Sequence, residues 1–237
     1  MIDVDGISKH YGDVTAADSV SFTAKDAAIT TLLGANGSGK TTTLRSISGL
    51  IRPDSGAVRI DGTEVGRDPV GARQRLGVFP DSFGLYDRLT TREHLAYFAQ
   101  FHGLSGRALD TAIDEVVAVL EIADIIDRRT LGFSSGQRMK VALGRALIHK
   151  PRNLILDEPT RGLDVMSIRH LRETLRKLRE SGCTVLLSSH VMAEVAELSD
   201  RVVCLATGRV VADDTPAALI ERTGAANLED AFVAVAA

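Results

Sequence analysis

Eight residues, Gly34-Ala35-Asn36-Gly37-Ser38-Gly39-Lys40-Thr41, fit the spacing G-x-x-x-x-G-K-S/T. The chemistry of that pattern is phosphate binding. Glycines let the backbone wrap close to phosphate oxygens, and a helix starting at the end of the loop directs free amides and a positive dipole end at them. Lys40 is then expected to reach the β- and γ-phosphates, and the Thr41 hydroxyl to hold Mg²⁺. The rest of the cradle is Gly34, Asn36, Gly37, Ser38, Gly39 and Thr42. A chance glycine turn is the competing explanation. It is disfavoured because an apolar run, Ile29–Leu33, precedes the loop and a helical pattern, Thr41–Ile47, follows it.

A phosphate loop needs a carboxylate partner. Leu154-Ile155-Leu156-Asp157-Glu158-Pro159 places two acids directly after an apolar run that reads as a buried strand. Asp157 is expected to hold Mg²⁺, directly or through water, and Glu158 to polarise an attacking water as general base. The plainer alternative is a surface turn before Pro159. His190 follows the strand Thr184–Leu187 through Ser188-Ser189. If that strand neighbours the one before Asp157, the imidazole comes near the γ-phosphate; alone, a histidine there reads as a cap. The other five histidines (His10, His94, His102, His149, His170) lack such a context and read as surface or packing residues.

A second helix start complicates this picture. In Leu131-Gly132-Phe133-Ser134-Ser135-Gly136-Gln137 the spacing S-x-x-Q is a capping box for a helix running through Leu147. Small residues and bare amides there also suit an anion. Two copies of the chain facing head to tail would each offer Ser134 and Gly136 to the other's γ-phosphate. Each active site would then be split across a two-fold interface.

The elements that must position these groups alternate. Ile2–Val4, Val20–Phe22, Ile29–Leu33, Val58–Ile60, Asn153–Leu156, Thr184–Leu187 and Val202–Leu205 read as strands. Thr90-Thr91-Arg92-Glu93 is a capping box for a helix to Phe101, and Leu109–Ile122 reads as another helix. Residues 81–149 therefore form a mostly helical insertion. Ile168, Leu171, Leu175 and Leu178 make a helical stripe, Thr215-Pro216 is a cap with a first-turn proline, and a short tail follows Asn227. The run Arg169–Lys177 is basic, but Glu173 and Lys177 stand at i,i+4, as on the solvated face of an amphipathic helix.

Composition removes several classes. The 237 residues are 44% hydrophobic and 25% charged, the balance of a chain with a proper core. A net charge of −3 gives no basic field, so nucleic acid is not expected as a partner. Cys183 and Cys204 have no metal-ligand spacing and read as buried reduced thiols of a cytoplasmic protein. The start MIDVDGISKHYGD lacks the pattern of a signal peptide, and no apolar run is long enough to span a membrane, so any membrane role is expected through a partner.

Phosphate loop, Phe-Ser-Ser-Gly-Gln, strand-Asp157-Glu158, Gly162-Leu163-Asp164 and His190, in that order, resemble the ATP-binding subunit of ATP-binding-cassette transporters over nearly the whole chain. The resemblance implies an α/β fold: a P-loop NTPase core with a mostly parallel sheet, an N-terminal antiparallel β subdomain and an inserted α-helical subdomain. It implies one domain, with residues 1–80 and 150–222 as catalytic core, 81–149 carrying the helical subdomain and signature, and 223–237 as tail. Tyr11 matches the aromatic that stacks on adenine, and Asp164 belongs to the loop that couples two sites across the dimer. Ser134, Gly136 and Gln137 match the signature that clasps the partner's ATP. ATP and Mg²⁺ are the implied ligands. The implied partners are a second copy or a related cassette, together with integral-membrane permease subunits that hold the chain at the cytoplasmic face of the cell membrane.

Two departures stand out. Ser135 occupies the place of the signature's usual first glycine. Asp81, in Val78-Phe79-Pro80-Asp81, replaces a glutamine that touches Mg²⁺ or the attacking water; aspartate also binds metal, but it is shorter and adds negative charge beside a triphosphate. Asp81 with Gly84–Thr90 looks like the branch of sodium and drug exporters, and a long C-terminal domain like that of sugar-importer cassettes is lacking, so export is expected. The alternatives are a soluble assembly or nucleic-acid-linked ATPase of the same family, and a regulatory ATP binder with little turnover. The first is disfavoured by the single cassette and missing coiled-coil insertion, the second by retention of Glu158 and His190.

Overall fold

The computed structural model describes residues 1–236 and arranges them around two sheets. Strands β1 (Ile2–Tyr11) and β2 (Val14–Ala24) form an antiparallel hairpin, and β4 (Ser55–Ile60) and β5 (Thr63–Glu64) extend it in the order β2-β1-β4-β5. The second sheet takes β3 (Ile29–Leu33), β6 (Leu76–Phe79), β7 (Asn153–Leu156), β8 (Thr184–Ser189), β9 (Arg201–Ala206) and β10 (Arg209–Asp214) in the order β10-β9-β3-β8-β7-β6. All its pairings are parallel except β9 with the edge strand β10. The sheets are tied where Asp18 N–H donates to the Gly208 carbonyl at 2.8 Å.

Every residue of β3, β7 and β8 is buried, which is why they read as continuous runs without alternation. Successive side chains still point to opposite faces. Ile155 and Leu186 join the antiparallel sheet and helix α1 (Lys40–Ile47) in one core through Ile2, Ile60, Leu44 and Ile47. Leu154, Leu156, Val185 and Leu187 join the other face, covered by Leu171 and Leu175 of α6 (Val165–Glu180).

The insertion is helical, as its pattern predicts. It holds α3 (Thr91–Phe101), α4 (Gly106–Leu120), a 3-10 turn and α5 (Ser135–Leu147). Thr90 and Glu93 form the expected capping box. Helix α4 begins three residues before the expected Leu109 and stops at Glu121, which adopts φ 53°, so Ile122 lies beyond it. The strand pattern missed β6 and the short α2 (Pro69–Arg73), which carry the chain from β5 to Asp81.

At the C-terminal end α9 (Leu228–Ala236) lies on β9, with α7 (Met192–Leu198) against β3 and α8 (Pro216–Thr223) against β10. The segment expected as a tail is helical in α9 because Leu228, Ala231 and Phe232 share one face. They pack on Leu33, Val202 and Cys204.

Cys183 and Cys204 are free and buried, and burial pushes their thiols up to about 11 and about 12. His94 is fully buried with neither ring nitrogen hydrogen-bonded, and desolvation lowers it to about 4. His149 is lowered to about 4 by burial first and then by the neighbouring His102, against whose ring it stacks at 3.7 Å. Both histidines are neutral in the fold and protonate in the unfolded chain near pH 6.5, so the unfolded state binds more protons between about pH 4 and 6.5. Their stabilisation is complete above that window and is lost as pH falls through it, on the order of 2 kcal/mol each. Urea unfolding from pH 7 to 4.5 should show the midpoint falling, and His149→Gln should flatten part of that slope. An identical slope in the variant would contradict the assignment.

Candidate active site

The phosphate loop joins β3 to α1. Gly39 caps α1 at φ 102°, and a Cβ there would lie 2.3 Å from the Ala16 carbonyl oxygen of β2, so only glycine fits. No side chain caps this helix start. The first-turn amides are therefore left open. They border a cleft of about 360 Å³ lined by Asn36, Gly37, Gly39, Lys40, Thr41 and Thr42 from the loop side. Asp81, Asp157, Glu158 and Arg161 line it opposite, and Val14–Ala16 of β2 close one edge.

Lys40 is 6% exposed. Its ammonium donates to the Gly34 and Ala35 carbonyls at 2.7 and 3.2 Å and stands 3.5 Å from Glu158 Oε1. The acids come from the end of β7, paired in register with β8. Glu158 N–H donates to Ser188 Oγ at 2.9 Å, and Ser188 Oγ donates to Asp157 Oδ1 at 2.6 Å. Glu158 adopts φ 47°, a left-handed conformation unusual for a side chain of its size. His190 Nδ1 donates to Glu158 Oε2 at 2.8 Å. Lys40, Asp157, Glu158 and His190, expected to converge, are thus within one network.

The donor set suits a small hard cation. Thr41 offers a hydroxyl, and Asp157 and Asp81 offer carboxylates at the cleft. Among the described residues no group of three or more His, Cys, Asp or Glu side chains forms a metal cluster. Two carboxylates and a hydroxyl would suit Mg²⁺, which takes one or two carboxylates from protein and the rest of its shell from phosphates and water. That set does not match a protein-built cage.

The other expected residues lie elsewhere. Ser134 caps α5: its Oγ accepts from Gln137 N–H at 3.2 Å, and Gln137 Oε1 accepts from Ser134 N–H at 3.1 Å. Gly136 is buried against α6, where an added Cβ would lie 2.3 Å from Ser167 Oγ. Ser167 is held by Asp164, whose side chain accepts from its N–H at 2.9 Å and its hydroxyl at 2.7 Å. That hydroxyl is the main cause holding the Asp164 carboxyl below the usual range. The signature and the Gly162–Asp164 turn therefore pack together, away from the cleft. Tyr11 is half exposed at the end of β1 with the Lys9 ammonium 5.8 Å from its ring centroid, and it does not line the cleft. Ser38 is buried with no partner for its hydroxyl, and it too stays out of the lining, as does the buried Gly34.

Two residues escaped the sequence. Ser188, fully buried, ties both acids; its only signal was a pair of hydroxyls ending an apolar strand. Arg161 lines the cleft, with no signal beyond its place after Asp157-Glu158-Pro159-Thr160.

A phosphate loop on a parallel sheet, with carboxylates at the next strand ends, defines a nucleoside triphosphatase. A profile described as "ABC transporter" matches residues 17–161. The ATP-binding protein NatA of Bacillus subtilis is 39% identical over 89% of this chain and 88% of its own length. Linearmycin resistance ATP-binding protein LnrL of the same organism is 36% identical over 94% of this chain and 72% of its own. The Nod factor export ATP-binding protein I of Burkholderia orbicola is 37% identical, over 93% and 72%. The solved ATP-binding subunit of an ABC transporter superposes with a TM-score of 0.89 at 30% identity, covering 99% of each chain. A dimeric bacterial ABC transporter cassette gives 0.82 at 26%, covering 91% of this chain and 98% of that one. The chain belongs to the ABC transporter family. It is an ATP-binding, ATP-hydrolysing motor subunit with the fold expected of that family.

Ser188→Ala removes the hydroxyl on which Asp157 and Glu158 converge and leaves a buried amide unpaired. It should cost about 1–3 kcal/mol in urea unfolding and lower ATP turnover by tenfold or more, while ATP binding through the loop is retained. Turnover equal to wild type would show that Ser188 does not position the acids.

Proposed function

We propose that this chain powers an exporter, closing head to tail on a second cassette over two ATP molecules. The observation that carries the reading is the separation of the site's parts. Lys40, Thr41, Asp157 and Glu158 line one cleft with His190 hydrogen-bonded to Glu158, whereas Ser134, Gly136 and Gln137 sit outside it on their own chain. A second copy supplies what the cleft lacks. Leu131, Val165 and Met166, each at least 70% exposed, flank the signature and the Gly162–Asp164 turn and give that face apolar area to bury.

Within each site the loop amides and Lys40 bind the phosphates, and Tyr11 stacks on adenine at the open edge. Thr41, Asp157 and Asp81 hold Mg²⁺, which supplies charge neutralisation at the phosphates. Glu158 takes the proton of the attacking water, and His190, hydrogen-bonded to it, orients that carboxylate and faces the γ-phosphate. Asp164 sets the turn that couples the two sites. The division into a core of 1–80 and 150–222, an arm of 81–149 and a C-terminal segment of 223–237 follows from these roles.

Among the described residues no helix is long and apolar enough to cross a membrane. The arm offers a docking surface instead. Tyr86, Tyr97 and Phe101 are 50%, 41% and 71% exposed, with ring centroids 5.6 and 5.0 Å apart in sequence. A membrane permease subunit seated there would hold the chain at the cytoplasmic face and receive its motion through Asp81, five residues before Tyr86. Export is supported by the relatives, whose names describe linearmycin resistance and Nod factor export.

Glu158→Gln keeps the shape and removes the base. It should trap an ATP-bound dimer, seen as a doubling of mass by light scattering with ATP and Mg²⁺, with turnover reduced ~10²–10⁴-fold. A variant that stays monomeric at saturating ATP would remove the split-site reading. Tyr97→Ser with Phe101→Ser should leave that dimer intact but abolish co-purification with a multi-span protein from the host's membranes.

A further inference from the structure

We infer that Gly208, in the turn between β9 and β10, is a positioning residue of the phosphate loop. Its N–H holds the Ser38 carbonyl outward and so aims the Gly39 N–H at the phosphates; this rests on reading residues 34–42 as the phosphate site. Gly208 N–H donates to the Ser38 carbonyl at 3.1 Å. In a planar trans peptide the C=O and the following N–H point in opposite directions. No peptide bond among the described residues is cis. Fixing the Ser38 carbonyl therefore fixes the Gly39 N–H on the other side. The two sides differ as this requires. Ser38 is buried and outside the cleft lining, whereas Gly39 lines it. Among the described residues the Gly39 N–H has no hydrogen-bond partner.

The turn is shaped to make that hydrogen bond. Ala206 pairs with Arg209, and between them Thr207 and Gly208 take φ 48° and 81°, the two left-handed residues of a tight hairpin. Behind it the Asp18 N–H donates to the Gly208 carbonyl at 2.8 Å, and Arg209 Nε donates to Asp18 Oδ2 at 2.7 Å. Gly208 is thus held through its carbonyl by β2 and holds the loop through its amide. A Cβ on Gly39 would lie 3.4 Å from Gly208 Cα, and one on Gly34 would lie 2.5 Å from the Leu205 carbonyl oxygen of β9. Both glycine ends of the loop therefore rest on the β9–β10 hairpin. Asp18 and Arg209 act through Gly208, Gly208 acts through Ser38, and none of the three acting residues lines the cleft. An amide fixed before the phosphate arrives loses no freedom on binding, so the brace is read as affinity.

Replacing Gly208 by glycolic acid through nonsense suppression puts an ester oxygen where the N–H stands. Measured where light scattering shows a monomer, equilibrium binding of fluorescent mant-ATP should weaken about tenfold. Asp18→Ala and Arg209→Ala remove the side-chain half of the grip and should each weaken it about threefold. The exchanged pair, Asp18→Arg with Arg209→Asp, should recover most of that loss. Because the brace acts on phosphate contacts, inorganic tripolyphosphate displacing mant-ATP should lose affinity by the same factor. In amide NMR spectra the shift of Gly39 on adding tripolyphosphate should shrink in the weakened variants and return in the exchanged pair. Asp18 and Arg209 side chains are 32% and 69% exposed, so their variants should fold even where the ester protein does not. Unchanged affinity in the ester protein or, where that does not fold, in both alanine variants would overturn the inference. So would a lower unfolding temperature with both affinities intact, which would leave Gly208 a structural turn. A loss for mant-ATP with none for tripolyphosphate would overturn it as well, placing the effect at the β2 edge of the cleft. Lys40→Ala is the control for the underlying reading. If it leaves binding intact, the loop is not the phosphate site. If it abolishes binding while the brace variants bind normally, only the role of Gly208 falls.

Discussion

Three parallel strands, β3, β8 and β7, end at nearly the same level, with Leu33 opposite Ser189 and Leu156 opposite Leu187. Neighbouring strands in a sheet lie about 4.8 Å apart. Whatever follows these strand ends is therefore forced into one small volume, however distant in sequence. Lys40, Glu158 and His190 meet there within 3.5 Å of one another's charged atoms along the chain Lys40–Glu158–His190. Ser188 is the joint, because it sits inside the sheet and its hydroxyl has no water to turn to. A buried hydroxyl, amide and carboxylate oxygen satisfy one another at 2.6 and 2.9 Å, and loss of any one strands the others.

That joint also sustains strain. A glutamate at φ 47° costs on the order of 1–3 kcal/mol. The amide bond to Ser188 and the turn closed by Arg161 N–H hold it in place. The return is orientation: the carboxylate presents one oxygen to His190 and the other towards Lys40. A carboxylate held this way needs no reorganisation if charge develops beside it, as the proposed role of Glu158 requires. The same turn, closed by Arg161 N–H, carries residue 161 into the cleft's lining.

The legible parts of the fold and site were those carried by contiguous residues. The phosphate loop, the acids after an apolar run and both capping boxes each encode their geometry within eight residues. Lys40, Thr41, Asp157 and Glu158, which line one cleft, are accordingly legible from local spacing. Ser188 and Arg161 are not, because their places at the site depend on strand order, which no local pattern carries. Strand β6 was hidden for a related reason: Leu76-Gly77-Val78-Phe79 is four residues long, and it is a strand only because β7 offers an edge to pair with. Helix α9 was hidden by its position. Leu228, Ala231 and Phe232 form a face too short to stand out, and the cover they give Val202 and Cys204 is a tertiary fact.

The second helix start shows why a local explanation and a functional one need not compete. A helix leaves its first four N–H groups without intrahelical partners. In α5 the capping box uses Gln137 N–H and also satisfies Ser134 N–H, and Arg138 N–H reaches the Ser134 carbonyl at 2.9 Å. The amides of Ser135 and Gly136, at the first two helical positions, remain beyond the reach of that box. Gly136 is glycine for packing, since Ser167 leaves no room for a Cβ. At α1 the arrangement differs: Gly39 contributes no side-chain cap, and the first-turn residues Lys40, Thr41 and Thr42 line the cleft. One helix start is thus fully open towards a ligand held by its own chain. The other is half closed by its own side chains and leaves two donors outside its capping box, an asymmetry that fits the head-to-tail pairing proposed above.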